Sequence, residues 1–219
     1  MQRVERHIAI GNKRLDELCF LSKNLYNYVN YLIRQEFTQH KKLLSEYEVT
    51  TMLAKDKQAD YIALLAQTSQ QIIKILFKNW KVFFKLCKLK DKLKSRPKLP
   101  KYKHKTKGRN IVVFTNQQCK LKDGYIHFPK RAGIEPIRTK VDNLCQVRII
   151  PQCSCHIIEV VYEKEKEEAT ELDDTAYLSI DLGLNNLATS FDPQHNRCFV
   201  ITGRPLKSMN QFFNKRKTF

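Results

Sequence analysis

The chain has 219 residues, of which 42% are apolar and 28% charged. It is long enough to bury a core, and this composition excludes disorder along the whole length. The 40 Lys and Arg outnumber the 22 Asp and Glu, giving a formal net charge of +18. Such an excess is self-repulsive in a compact fold and favours a polyanionic partner.

The sequence predicts a cytoplasmic protein with no membrane partner, associated with the nucleoid when it binds DNA. No apolar run approaches the roughly 20 residues of a membrane span. The residues after Met1–His7 show neither an apolar stretch nor a small-residue cleavage site. The seven cysteines include no C-x-x-C pair, which favours reduced thiols. Cys153 and Cys155 lie two apart, which on a strand is typical of packed thiols, so no zinc is predicted.

Two apolar patterns predict helices in the first third of the chain. Apolar residues from Leu15 to Leu32 recur every three or four positions, which predicts an amphipathic helix over 15–36. A shorter apolar cluster over 61–66 precedes Thr68 and Ser69, and either hydroxyl could cap the helix that follows.

That following helix, over 73–92, has two opposed stripes. One is apolar and runs from Ile73 to Cys87, and the other consists of six lysines spaced three or four apart. At about 100° per residue these ammonium groups lie along one helix face. Like charges at this spacing destabilise an isolated helix by about 0.2–0.5 kcal/mol per pair. The lysines are Lys74, Lys78, Lys81, Lys85, Lys88 and Lys92.

A basic, proline-containing segment comes next. Pro97 and Pro100 end helical structure. Beyond them four lysines alternate with Tyr102, His104 and Thr106, and an extended chain would place the four on one side. Residues 71–110 contain 15 Lys and Arg and one acid, so this segment alone has a net charge of +14, against +18 for the whole chain. The alternating lysines are Lys101, Lys103, Lys105 and Lys107.

This local charge has two interpretations. A lysine stripe is commonly a solvated helix face. Lysines that neutralise phosphates also release counterions, and an aromatic residue such as Tyr102 can stack on a base. Because the basic character continues to Arg109 with almost no acid, the nucleic-acid interface is the favoured prediction.

After Asn110 the pattern changes to short strands with turn signals, typical of a small barrel or sandwich. An acidic run over 163–174 follows and predicts a linker. The predicted strands are 111–115, 125–128, 146–150 and 156–162.

Residues 177–190 place a carboxylate at a strand end. An apolar strand leads to Asp181, Gly183 permits a tight turn, and a second strand begins at Leu187. A carboxylate fixed in this way can bind a divalent cation while one side of the cation stays open to other ligands. A plain β-turn is the commoner explanation of a bare D-x-G, so both remain open here.

The order of these features resembles the transposon-encoded TnpB/OrfB family of RNA-guided nucleases, also classed as transposases. The resemblance implies an α+β protein with a helical insertion inside a small, wedge-like β-barrel, then the first strands of an incomplete RNase H-like (RuvC) domain. Three passages carry it: SIDLGLNNLAT at 179–189, GRPLKSMN at 203–210 with FNK at 213–215, and PKLPKYK at 97–103.

The resemblance also implies domain bounds. The barrel would comprise residues 1–12 and 96–168, and the helical recognition insertion residues 13–95. A linker at 169–175 would lead to the RuvC segment at 176–219.

By resemblance, Asp181 is the first catalytic carboxylate and a ligand of Mg²⁺. The family takes a further Glu, a further Asp and a C-x-x-C zinc element from later segments that this sequence lacks. We therefore expect an amino-terminal portion of a TnpB-like protein that binds structured guide-type RNA and DNA but is catalytically incomplete. A domesticated nuclease-dead repressor and a general RNA-binding protein are the alternatives.

Overall fold

A computed structural model describes residues 1–89, 92–165 and 176–217. The chain divides into two compact units, Met1–Glu165 and Lys166–Phe219. The linker predicted at 169–175 lies outside the described residues. The model confirms the mixed α+β class, with several antiparallel sheets.

The described residues of the first unit form four α-helices: α1 (Lys13–His40), α2 (Glu46–Lys55), α3 (Ala59–Ile62) and α4 (Ala66–Lys88). The helix predicted over 15–36 is confirmed within α1, which begins where the Asn12 side chain accepts a hydrogen bond from the Leu15 amide at 3.1 Å. At α2, Ser45 and Glu48 form a reciprocal capping box.

The predicted capping of α4 by Thr68 or Ser69 is wrong. The helix begins earlier, with Leu65 at the N-cap and no side-chain cap. Ser69 instead donates to the Tyr61 carbonyl at 2.8 Å, and Thr68 accepts from Gln118 at 3.2 Å. Both hydroxyls lie buried inside the first turns, where they bond to neighbouring elements.

The helical core is centred on Trp80. Its side chain is fully buried, and the rings of Phe37, Phe83 and Phe84 surround it with centroid distances of 5.7–5.9 Å. The indole N–H donates to Asn30 Oδ1 at 3.1 Å, so a buried hydrogen bond joins α1 and α4 within their apolar interface. Burial of this ring therefore fixes α4 against α1.

The described residues of the first unit also form seven strands: β1 (Gln2–Ile10), β2 (Val112–Thr115), β3 (Lys120–Lys122), β4 (Tyr125–His127), β5 (Ile137–Arg138), β6 (Leu144–Pro151) and β7 (Cys155–Glu163). The order β1-β7-β6-β2 makes one antiparallel sheet, and β3-β4-β5 makes another. All four strands predicted between 111 and 162 are confirmed, as β2, β4, β6 and β7. Helices α1–α4 lie in the chain between β1 and β2, the two outer strands of the larger sheet.

The second unit contains β8 (Ser179–Asp181), β9 (Asn186–Asp192), β10 (Arg197–Thr202) and α5 (Arg204–Lys217). The strands form an antiparallel sheet of order β10-β9-β8. The prediction that a strand ends at Asp181 is confirmed.

Within the described part of the chain, no helix combines the length and apolar character needed to cross a membrane. The seven cysteines are free thiols, and Cys153 is exposed.

Candidate nucleic-acid interface

One face of α4 carries a row of exposed lysines. The opposite face buries Ile73, Leu76 and Trp80 against the core, so the two predicted stripes are confirmed over most of the helix. The exposed members on α4 are Lys74, Lys78, Lys81, Lys85 and Lys88. We call this row the lysine face.

The sixth predicted member, Lys92, does not belong to α4. The helix ends at Lys88, and the Leu89 amide closes it by bonding to the carbonyls of Leu86 and Cys87. The aromatic contacts that hold α4 against α1 end at Phe84, so little apolar burial remains to extend the helix. Lys92 lies four residues beyond the last helical residue and is exposed.

Residues 97–109, which we call the basic strap, are bound along α1. Asn27 makes two hydrogen bonds to the Lys103 backbone, donating to its carbonyl at 2.9 Å and accepting from its amide at 2.8 Å. Asn30 and Arg34 both donate to the Pro100 carbonyl. Three backbone groups of the strap thus find partners on a rigid helix through four hydrogen bonds, which fixes the course of the strap.

A buried polar stripe on α1 makes this binding possible. The Lys23 ammonium donates to the Lys105 carbonyl at 2.6 Å and lies 3.7 Å from the centroid of the Phe20 ring. Burial lowers the pKa of Lys23. The stripe residues follow helical spacing beside the apolar stripe of α1, so the sequence itself contains the signal for this polar face. They are Ser22, Lys23, Asn27, Asn30 and Arg34.

The expectation that four strap lysines lie on one side of an extended chain is wrong. Residues 104–108 form a turn, closed by the Gly108 amide on the His104 carbonyl at 3.1 Å. A Cβ at Gly108 would lie 2.4 Å from that oxygen, so glycine is required for this close approach. Lys105 and Lys107 lie on the turn, whereas Lys101 and Lys103 lie on the extended part before it.

Tyr102 is the exposed aromatic residue of the strap. Its side chain is 45% exposed, and the Arg34 guanidinium carbon lies 4.5 Å from its ring centroid. Because Arg34 also bonds to the Pro100 carbonyl, the tyrosine ring is supported by a fixed cation.

Arg109, at the end of the strap, is engaged within the chain. Its guanidinium donates to both Asp16 oxygens, at 2.7 and 2.6 Å. These hydrogen bonds lower the pKa of Asp16 and raise that of Arg109. Since a bidentate carboxylate neutralises the cation, the geometry supports an anchoring role for Arg109 more than a phosphate contact.

We expect this ion pair to make stability depend on pH in the acid range. The pKa of Asp16 in the folded chain lies below the ordinary 3.8, so the pair stabilises above that value and loses its effect as pH falls through the folded-state pKa. The Asp16 side chain is 46% exposed, so solvent screening keeps the contribution under about 1 kcal/mol. Urea titrations of wild type and Asp16→Asn should differ near neutral pH, and the difference should shrink as the pH falls below 3.8 and through the folded-state pKa. A difference that grows toward acid would contradict this assignment.

In the second unit, Asp181 lies exposed at the end of β8, opposite Thr189 of β9. The loop after it contacts the start of α5: the Gly203 amide donates to the Asn185 carbonyl at 2.8 Å, and the Lys207 ammonium bonds to Asn185 Oδ1. A Cβ at Gly203 would lie 3.1 Å from the Asn185 carbonyl oxygen. The two passages at 179–189 and 203–210 are therefore neighbours in space.

The described residues around Asp181 do not fit a two-metal site. Between 176 and 217 the other acid is Asp192, which bonds to His195 at 2.7 Å. Phe191, its neighbour, pairs with Ser179, so Asp192 lies toward the opposite end of β8 from Asp181. Two-metal hydrolysis needs several carboxylates around ions about 3.5–4 Å apart. No group of three metal-binding side chains occurs within the described ranges.

Comparison with solved structures finds several matches, among them two Cas12f complexes. No family model matches the chain, and no curated protein matches its sequence. The cryo-EM structure of the Cas12f1–sgRNA–target DNA complex is 13% identical with a TM-score of 0.35, covering 100% of this chain and 61% of that one. A CRISPR–Cas12f ternary complex is 13% identical with a TM-score of 0.34, covering 94% and 50%. The chain thus spans between half and about 61% of these proteins.

Proposed function

We propose that this chain is a nucleic-acid-binding protein of TnpB-like type that holds RNA on the lysine face and the basic strap. The observation that carries the proposal is the exposed row of five lysines on α4. The core fixes this helix through Trp80, and α1 fixes the strap through its buried polar stripe.

Electrostatics supports a polyanion as the ligand. Lysines in a row along about 21 Å of helix, from Lys74 to Lys88 at about 1.5 Å per residue, match a phosphate backbone better than a single small anion. Between 71 and 110 the one acid is Asp91, so little in this segment offsets the field.

The resemblance at 97–103, 179–189 and 203–210 supports guide-type RNA, with DNA, as the partner. On this proposal residues 1–12 and 96–168 form the wedge-like domain, residues 13–95 the recognition insertion, and residues 176–219 the opening of a RuvC-like domain. Asp181 would be the first carboxylate of that domain, with Mg²⁺ as its implied ion.

The test is to purify the chain from its own host at moderate salt and to sequence the RNA that accompanies it. One discrete, structured RNA is expected. A nuclease-dead repressor would give the same RNA together with bound DNA. Heterogeneous RNA in proportion to cellular abundance would favour a general RNA-binding protein, and absence of RNA would contradict the proposal.

A second prediction concerns cleavage. The 219-residue chain, supplied with Mg²⁺ and DNA, should cut no faster than its Asp181→Ala variant, because the described residues beside Asp181 supply no further carboxylates for two-metal hydrolysis. The measurement is a time course on labelled DNA in the presence and absence of chelator. If wild type cleaves DNA, chelator stops the cleavage and Asp181→Ala abolishes it, the expectation that the Asp181 site is catalytically incomplete is contradicted.

A further inference from the structure

A groove separates α4 from the basic strap. Its volume is about 380 Å³, within the roughly 300–1,000 Å³ typical of small-ligand sites. Val82, Phe83 and Leu86 line the α4 side, and Pro100 and Tyr102 line the strap side. The groove is therefore an apolar slot bounded by an aromatic residue on each side.

The rims of this slot are basic and polar. Lys98 and Lys101 line it from the strap and are exposed. On the α4 side, Asn79 is exposed; its amide nitrogen donates to the Tyr26 hydroxyl at 3.4 Å, and the amide keeps a second N–H donor and its acceptor oxygen. Val82 is also exposed and follows Lys81 directly, so the lysine face runs alongside the groove.

The aromatic walls are held in place. Arg34 lies over the Tyr102 ring, and Phe83 contacts Phe84 and Trp80 with centroid distances of 5.2 and 5.9 Å. Tyr26 lines the slot as well and is buried, with Lys103 Nζ 5.5 Å from its ring centroid. A planar ligand would thus meet preorganised apolar surfaces rather than mobile side chains.

We propose that this groove takes the base of one unpaired nucleotide of the bound strand. The base would stack on Tyr102, and Lys98 and Lys101 would bind its flanking phosphates. A base has an apolar face and a hydrogen-bonding edge, which the rings and the Asn79 amide match. The assignment rests on the proposed function, since the lysine face must first bring the strand to the groove.

The test uses a single-stranded RNA carrying one 2-aminopurine, whose fluorescence falls when the base stacks. The full chain should quench this probe, and Tyr102→Ala should remove the quenching and weaken binding about ten-fold, the size of one lost stacking contact. Tyr102→Phe should retain the quenching. Tyr125→Ala is the matched control, because Tyr125 is 42% exposed and lies on β4.

A second pair of variants guards against misfolding of Tyr102→Ala. Val82→Glu places a carboxylate in the groove, whereas Leu89→Glu makes the same charge change just beyond α4; these positions are 53% and 49% exposed. Val82→Glu should abolish the quenching, and Leu89→Glu should retain it.

The outcomes distinguish the groove from the proposed function. Two results would contradict base binding in the groove while leaving RNA binding by the lysine face supported. One is RNA binding by wild type without quenching, and the other is quenching that survives both Tyr102→Ala and Val82→Glu. Failure of wild type to bind RNA overturns both. Equal quenching of a DNA probe of the same sequence would show that the groove accepts an unpaired base of RNA or of DNA. Quenching of duplex probes alone would contradict the proposal that the bound base is unpaired.

Discussion

Replacing Lys78, Lys81, Lys85 and Lys88 by glutamine should make RNA binding both weaker and less sensitive to salt. Each phosphate that a lysine neutralises contributes about 0.7 to the slope of log K against log salt for a single strand. If each of the four contacts one phosphate, the slope becomes shallower by about 3, and, with equal affinities at 1 M salt, affinity near 0.1 M salt falls on the order of several hundred-fold. Fluorescence anisotropy across a salt series measures both quantities.

The control removes the same charge from another surface. Glutamine at four exposed lysines outside α4 and the strap lowers the net charge equally but should leave the slope close to that of wild type. These are Lys42, Lys55, Lys120 and Lys122. Equal slopes for the α4 variant and wild type would remove the lysine face from the interface. Equal losses in the two variants would assign the effect to net charge alone.

The second large effect is expected from Trp80→Ala. The indole is fully buried among three phenylalanine rings, and truncating such a side chain costs about 3–5 kcal/mol in the free energy of unfolding. The change also leaves Asn30 Oδ1 without its donor, which adds the cost of a buried unpaired acceptor. Because Asn30 also binds the Pro100 carbonyl, the strap should loosen as well.

Urea denaturation followed by far-ultraviolet circular dichroism measures this effect, since Trp80 is the only tryptophan and its fluorescence is lost in the variant. Tyr47→Ala is the control, because Tyr47 is 79% exposed on α2 and should change stability little. A loss of less than about 1 kcal/mol for Trp80→Ala would contradict the role of this cluster as the centre of the helical core.

The periodic elements could be predicted because their signals are local. The apolar spacing of α1 and α4 and the short apolar runs of β2, β6 and β7 depend on residues a few positions apart. The end of α4 could not be predicted, because lysine spacing continues to Lys92 while the aromatic contacts that hold the helix against α1 end at Phe84. Thr68 and Ser69 lie inside α4 for a similar reason, because their hydrogen-bond partners lie outside this helix: Gln118 in the turn after β2, and Tyr61 on α3.

The arrangement of the candidate interface depends on distant residues. The side chains that donate hydrogen bonds to the strap come from α1, much earlier in the chain. Arg34 precedes its acceptor Pro100 by 66 positions, and Lys23 precedes Lys105 by 82. Arg109 and Asp16, which pair closely, are 93 positions apart. A single sequence shows the charge of Arg109 but not its partner, so its engagement by a carboxylate became visible only in the fold. The groove between α4 and the strap likewise exists only once both are packed on α1.

The most direct test of the RNA interface is to crosslink bound RNA to the full chain with ultraviolet light and to map the attached peptides by mass spectrometry. We expect nucleotide adducts within 74–88 and 98–107, on the lysine face and the strap. Adducts confined to other parts of the chain, such as β3–β5 or the second unit, would contradict the proposed interface.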